Sequence, residues 1–181
     1  MTCTTRTDGK SDQKVIQIVG YKKSGKTTFI SRLIPIFSGM NYKVAVIKHD
    51  VHGFDSDVEG TDTYKLRQAG AAATAITSPW RTAIMEERET PVLDLIHHFS
   101  SDYDLVILEG FKNEGYPKMV LVTSLEDIQL VKQLSHVIGI VHRNLNISEL
   151  DSLRVLALEL KLPLFEPGQI EDIATYVVTL N

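Results

Sequence analysis

The sequence predicts an α/β fold in which a mostly parallel sheet carries helices on both faces. Three observations predict it. Short apolar, β-branched runs recur along the chain, at residues 15–19, 43–48, 104–108, 118–123 and 136–141. Segments with helical apolar spacing separate them, and this alternation is the mark of parallel strands joined by crossover helices. A glycine-rich loop at 20–27 sits between the first run and the first helical segment. With 181 residues, 43% of them apolar, the chain suits one domain with a substantial core. We expect a frayed tail over residues 1–13 and one nucleotide-binding domain over 14–181.

The loop reads Gly20-Tyr21-Lys22-Lys23-Ser24-Gly25-Lys26-Thr27, then Thr28. It fits G-x-x-x-x-G-K-[ST], the phosphate-binding loop of nucleoside-triphosphate proteins, and it has the strand before it and the helix after it that the chemistry needs. The glycines let backbone N–H groups turn inward around a phosphate, and the helix N-terminus adds partial positive charge. Lys26 is expected to reach the β- and γ-phosphates, and the Thr27 hydroxyl to ligate Mg²⁺. This is the P-loop NTPase arrangement.

Composition narrows the remainder. A formal net charge of −4 argues against a general nucleic-acid binder. The only cysteine is Cys3, so no disulfide framework forms within the chain and a reducing compartment is expected. Residues 1–13 lack the apolar segment of a secretory signal, and no apolar run approaches the roughly 20 residues of a membrane span. The expected location is the cytoplasm.

In chain order, the first helix is expected to fade at Pro35 and Gly39. The second strand ends at His49-Asp50. Residues 50–60 hold two glycines, four acids and His52 without a sustained period, and read as a functional loop beside the phosphate site. A helix capped at Thr61 or Asp62 should stop at Gly70. Residues 71–77 and 80–86, joined by Ser78-Pro79, read as a β-hairpin at a sheet edge, where pairing with another chain is invited. Thr90-Pro91 starts a helix over 92–99.

Residues 104–110 run through four apolar positions into Glu109-Gly110. An acid at the carboxyl end of a parallel strand beside a phosphate loop can hold Mg²⁺ or its water, and Asp50 ends the neighbouring run in the same way. Ser124 and Asp127 resemble a capping box. Ser148 is expected to cap the helix over 149–159, and a last helix spans 169–179. The loop, Asp50, Glu109 and residues 142–144 should meet on one rim of the sheet, because ligands of such folds sit beyond the carboxyl ends of the strands.

This combination resembles a known family. G-Y-K-K-S-G-K-T-T, I-K-H-D, H-G-F-D-S-D-V-E-G-T-D-T-Y-K-L-R-Q-A-G-A and L-V-I-L-E-G-F-K together are similar to the MobB family, the molybdopterin-guanine dinucleotide biosynthesis adapters, over roughly residues 14–178. The resemblance implies a homodimeric GTP-binding protein with weak GTPase activity. It implies a molybdenum cofactor guanylyltransferase (MobA-like) as partner, with molybdopterin a further candidate ligand. Neither nucleic acid nor membrane is expected. The Glu-Gly strand end is also similar to that of dethiobiotin-synthetase-like proteins, many of which carry an early loop lysine where this chain has Tyr21. The Asn-Lys-x-Asp signature of regulatory GTPases is absent, so guanine preference rests on the resemblance. Asn144 either faces a purine edge or lies in a surface turn.

The leading expectation is therefore a GTP-binding adapter. Lys26 and the loop amides of Gly20 to Thr28 hold phosphates, and Thr27, Glu109 and Asp50 organise Mg²⁺. Lys26, Asp50 and Glu109 are the candidates for slow hydrolysis, driven by charge stabilisation and water positioning. The alternatives are a small-molecule kinase or ligase, with His49, Asp50, His52 and Lys112 on a second substrate, and a metal carrier using His49 and His52.

Overall fold

The computed structural model describes residues 13–180; the tail expected over 1–13 falls outside them except for Gln13. In chain order the elements are β1 (Lys14–Val19), α1 (Lys26–Gly39), β2 (Val44–Lys48), α2 (Asp62–Gln68), β3 (Ala73–Thr77), β4 (Thr82–Glu86) and α3 (Val92–Phe99). Then come β5 (Leu105–Glu109), β6 (Lys118–Val122), α4 (Leu125–Gln133), β7 (Val137–His142), α5 (Ile147–Leu160), β8 (Leu164–Phe165) and α6 (Ile170–Thr179). The chain divides into two compact units, residues 50–95 forming one and the segments on either side of them the other.

The larger unit is built on a six-stranded sheet in the order β2-β5-β1-β6-β7-β8, every pairing parallel. Strand alternation sorts its core. In β6, Met119 and Leu121 join one apolar cluster with Phe29, Leu33 and Phe37 of α1 and Ile173 of α6. The intervening Val120 and Val122 join a second with Ile128, Leu153 and Leu156 of α4 and α5. Successive strand side chains point to opposite faces, so this split means helices on both sides. The interior strands β5 and β6 are buried at every position. Each buried Leu, Ile or Val contributes about 1.5–3 kcal/mol relative to exposure.

Four local expectations are corrected. α1 does not fade at Pro35 but runs through it to Gly39. An interior proline costs about 3 kcal/mol; here Leu33 and Phe37, both fully buried, flank it and keep the last turn docked. The cap of α5 is Asn146, not Ser148. Its side chain accepts the Glu149 N–H at 3.0 Å while the Glu149 carboxylate accepts the Asn146 N–H at 2.9 Å, a complete capping box. At α4 the Asp127 N–H donates to Ser124 Oγ as expected, but the Asp127 carboxylate reaches back to Thr123, accepting its N–H at 2.7 Å and its hydroxyl at 2.8 Å. An aspartate is a methylene shorter than the usual glutamate, and the bond closes on a different residue.

The fourth correction concerns the hairpin. β3 and β4 pair antiparallel as expected, Ala75 opposite Ile84, but they make a separate two-stranded sheet rather than an edge of the large one. The edges of the large sheet are β2 and β8. Within the smaller unit, α2 is capped by Thr61, whose hydroxyl accepts the Tyr64 N–H at 3.3 Å, and the chain leaves it through Gly70 at φ 103°. Arg67 ties the unit together, donating to Glu87 at 2.6 Å and to Asp55 at 2.9 Å, with Asp57 at 3.4 Å.

Candidate functional site

The loop between β1 and α1 closes on itself. Its Ser24 N–H donates to Tyr21 O at 3.2 Å. Lys23 at φ 67° and Gly25 at φ 90° bend the backbone through the left-handed region, which suits a glycine and strains a lysine. Gly20 is required for a different reason. A Cβ there would come within 2.6 Å of Ser24 Oγ and 3.1 Å of the Leu121 carbonyl oxygen. Gly25 is the N-cap of α1 and brings no side chain to it, so the first N–H groups of a 14-residue helix have no side-chain cap. Ser24 Oγ is buried without a hydrogen-bond partner among the described residues.

Lys26 folds back over the loop, donating to Gly20 O at 3.0 Å and Tyr21 O at 2.9 Å. Burial pulls its pKa below the ordinary lysine value; Glu109 and Asp127 oppose that shift and Lys48 adds to it. Glu109 stands where the parallel register puts it, level with Ile18 of β1 and Lys48 of β2. Its carbonyl accepts the His49 N–H at 3.1 Å, and its buried carboxylate accepts the Thr27 hydroxyl at 2.9 Å. Lys26, Thr27 and Glu109 therefore share one rim of the sheet.

These features fit a magnesium triphosphate. The uncapped helix start and the loop amides are donors for phosphate oxygens. Lys26 needs only to release two loop carbonyls to offer its ammonium. Thr27 and Glu109 already meet at hydrogen-bond distance, and a hydroxyl beside one carboxylate is the small protein share that Mg²⁺ takes when phosphates and water complete its shell. Among the described residues no group of three His, Cys, Asp or Glu side chains is arranged to hold a metal by itself. That gives the carrier alternative based on His49 and His52 no support.

The other expected site residues are placed as follows. Tyr21, Lys22, Lys23 and Thr28 are exposed. Asp50 is exposed and belongs to the smaller unit, where its carboxylate accepts the His52 N–H at 3.0 Å. Asn144 is exposed at φ 61° just beyond β7. His49 packs against Phe111, ring centroids 4.8 Å apart.

Two features escaped the sequence reading. The first is a buried polar brace behind Glu109. Gln17, fully buried in β1, donates to Phe111 O at 2.6 Å and Gly110 O at 3.3 Å and accepts the Tyr116 N–H at 3.1 Å. Beside it the buried Lys118 donates to Tyr116 O at 3.0 Å and to Glu114 O. Together they pin the turn that leaves Glu109, where Gly110 and Phe111 both have positive φ. The one signal was a glutamine inside an apolar run. The second is Arg143, which lines a cleft beside Gly25, Thr28, Phe29 and Leu121. Nothing in the sequence distinguished it from its neighbour Asn144.

Comparisons with known proteins identify the family. The family model described as "Molybdopterin guanine dinucleotide synthesis protein B" matches residues 15–143, which include the loop, Glu109 and the end of β7. A molybdopterin-guanine dinucleotide biosynthesis adapter protein of Haemophilus influenzae is 41% identical over 110 residues, covering 59% of this chain and 62% of that protein. A probable adapter protein of the same description from Bacillus subtilis is 33% identical over 132 residues, covering 71% of this chain and 76% of that one. A crystal structure described as molybdopterin-guanine biosynthesis protein B superposes with a TM-score of 0.68 at 28% identity, over 92% of this chain and 99% of that chain. The chain belongs to the molybdopterin guanine dinucleotide synthesis protein B (MobB) family.

Proposed function

We propose that this protein is a GTP-binding adapter of molybdopterin guanine dinucleotide formation that hydrolyses GTP slowly. The observation that carries the reading is the convergence of Lys26, Thr27 and Glu109 on one rim, with Thr27 and Glu109 2.9 Å apart at the start of an uncapped helix. Lys26 and the N–H groups of Gly20 to Thr28 hold the phosphates. Thr27 and Glu109 hold Mg²⁺, which neutralises charge on the phosphate oxygens. Hydrolysis is slow because the described rim offers positioning and charge stabilisation without an assigned general base.

The adapter role comes from the names of the relatives; the guanylyltransferase partner, molybdopterin as a ligand and the cytoplasmic setting are carried by the sequence reading alone. The homodimer has its own physical support. The smaller unit exposes Ile76 and Ile84 on a two-stranded sheet whose outer edges pair with no other strand among the described residues, and Trp80, 91% exposed, in the turn that joins the strands. No described helix is long and apolar enough to cross a membrane.

The test is calorimetric titration of Mg²⁺ and a slowly hydrolysed GTP analogue into the wild type and Lys26→Ala. The variant should lose binding by about a hundredfold or more while its circular dichroism stays unchanged, since removing a charge-assisted phosphate contact costs several kcal/mol. A folded Lys26→Ala protein that binds as the wild type does would remove the reading.

A further inference from the structure

The cleft beside the phosphate loop carries a second assignment, which rests on the nucleotide-binding reading above. Its floor is apolar: Phe29, Leu121 and Val141 line it and are almost fully buried. One side is closed by Arg32, whose guanidinium donates to Pro167 O at 2.9 Å. The other is Arg143. Its backbone N–H is fixed to Val122 O at 2.9 Å, and its guanidinium lies across Gly25, 3.3–3.5 Å from where a Cβ on that glycine would stand. Unlike Arg32, the Arg143 guanidinium has no acceptor or carboxylate partner among the described residues. A larger residue at 25 would push it away.

We infer that Arg143 holds the nucleoside end of the bound triphosphate by stacking its guanidinium on a base that lies across the mouth of this cleft. The phosphates already have their cation in Lys26, which folds over Gly20 and Tyr21. What Arg143 faces is a shallow, largely apolar cleft of about 40 Å³ next to Thr28, an open seat on which one face of a planar ring can rest. A guanidinium is flat, weakly hydrated and attracted to π faces, and stacking asks for no particular ring edge. Arg143 therefore supplies affinity for purine nucleotides in general and leaves the choice between guanine and adenine to other groups. This places the base-side contact one residue before Asn144, which is exposed and does not line the cleft.

Binding of GTP, ATP and inorganic tripolyphosphate, each with Mg²⁺, separates the contributions. Arg143→Ala should weaken GTP and ATP by about tenfold each and leave tripolyphosphate unchanged. Arg143→Lys should recover only part of the loss, because an ammonium keeps the charge without the flat face. Equal weakening of all three ligands would make Arg143 a phosphate contact and overturn the assignment, as would unchanged binding of all three. Loss for GTP alone would overturn the claim that stacking is indifferent to the base. A wild-type protein that binds none of the three would sink the nucleotide reading itself, a result distinct from every other.

Discussion

The two units of this chain solve the problem of cohesion by different means. The larger one buries β5 and β6 completely and packs helices against both faces of its sheet. The smaller one, residues 50–95, buries no residue of α2 and one of β3, Thr74, while Val51, Phe54, Val58, Leu66, Ile76, Trp80 and Ile84 are exposed. A short helix beside a two-stranded hairpin cannot enclose an apolar core. What orders it is polar: Arg67 bridging Asp55, Asp57 and Glu87, with Thr61 and Thr63 donating to Asp57. The phosphate-loop residues sit on the packed unit, and the charge-laced unit leaves its apolar side chains exposed.

The comparison can be broken first by truncation. Leu108→Ala, in a fully buried strand, should cost about 3–5 kcal/mol in urea unfolding, whereas Ile84→Ala, half exposed on the hairpin, should stay within about 0.5 kcal/mol. Equal costs would mean that the smaller unit has a core of its own. In a dimer that buries the hairpin, the Ile84→Ala effect should instead appear as weakened self-association in sedimentation.

Next in size is Arg67→Leu. It removes the cation shared by Asp55, Asp57 and Glu87 and should speed proteolytic cleavage within 50–95 several-fold, with the midpoint of the larger unit unchanged. Acid should act on the same tie. The Asp57 backbone N–H, and after it the Arg67 guanidinium, hold the Asp55 carboxyl below its ordinary value of 3.8. Its contribution is present above 3.8 and disappears as pH falls through the depressed folded value, so protection of 50–95 should fail at the acid end before the larger unit unfolds.

The larger unit has a pH dependence of the same sign at Lys118, but in the alkaline range. Burial lowers its pKa below 10.5, so between the folded value and 10.5 the native state binds fewer protons than the unfolded one. Stability should therefore rise with pH across that window, and Lys118→Met should flatten the slope. The smallest effect belongs to His142, which burial holds below 6.5 despite the nearby Glu166. Stability should fall slightly as pH drops from 6.5 toward its folded value, and His142→Asn should remove that decline.

What the sequence made legible follows the same division. Strand runs in the larger unit were readable because interior parallel strands are apolar on both faces. The loop was readable because its glycines answer to backbone geometry, as the close approach of Gly20 to Ser24 and Leu121 makes plain. Glu109 was readable from its position at a strand end, which parallel register turns into proximity to Thr27. Pairing of the hairpin was readable, but not that it stands apart from the main sheet, since strand patterns carry no record of which edge they join. The cap of α5 was assigned to Ser148 because serine and asparagine cap equally well and only Glu149's reach chose between them. Arg143 and the Gln17–Lys118 brace stayed hidden because each depends on contacts between distant elements.

The central claim is that Lys26, Thr27 and Glu109 grip one magnesium triphosphate. It is tested most directly by a crystal structure with Mg²⁺ and a non-hydrolysable GTP analogue. The account predicts phosphates cradled between Gly20 and Thr28, Lys26 released from the Gly20 and Tyr21 carbonyls, and the ion on Thr27 Oγ1 with Glu109 in its shell. A nucleotide bound elsewhere, with the Thr27 hydroxyl still on Glu109 and Lys26 still on its own loop, would contradict it.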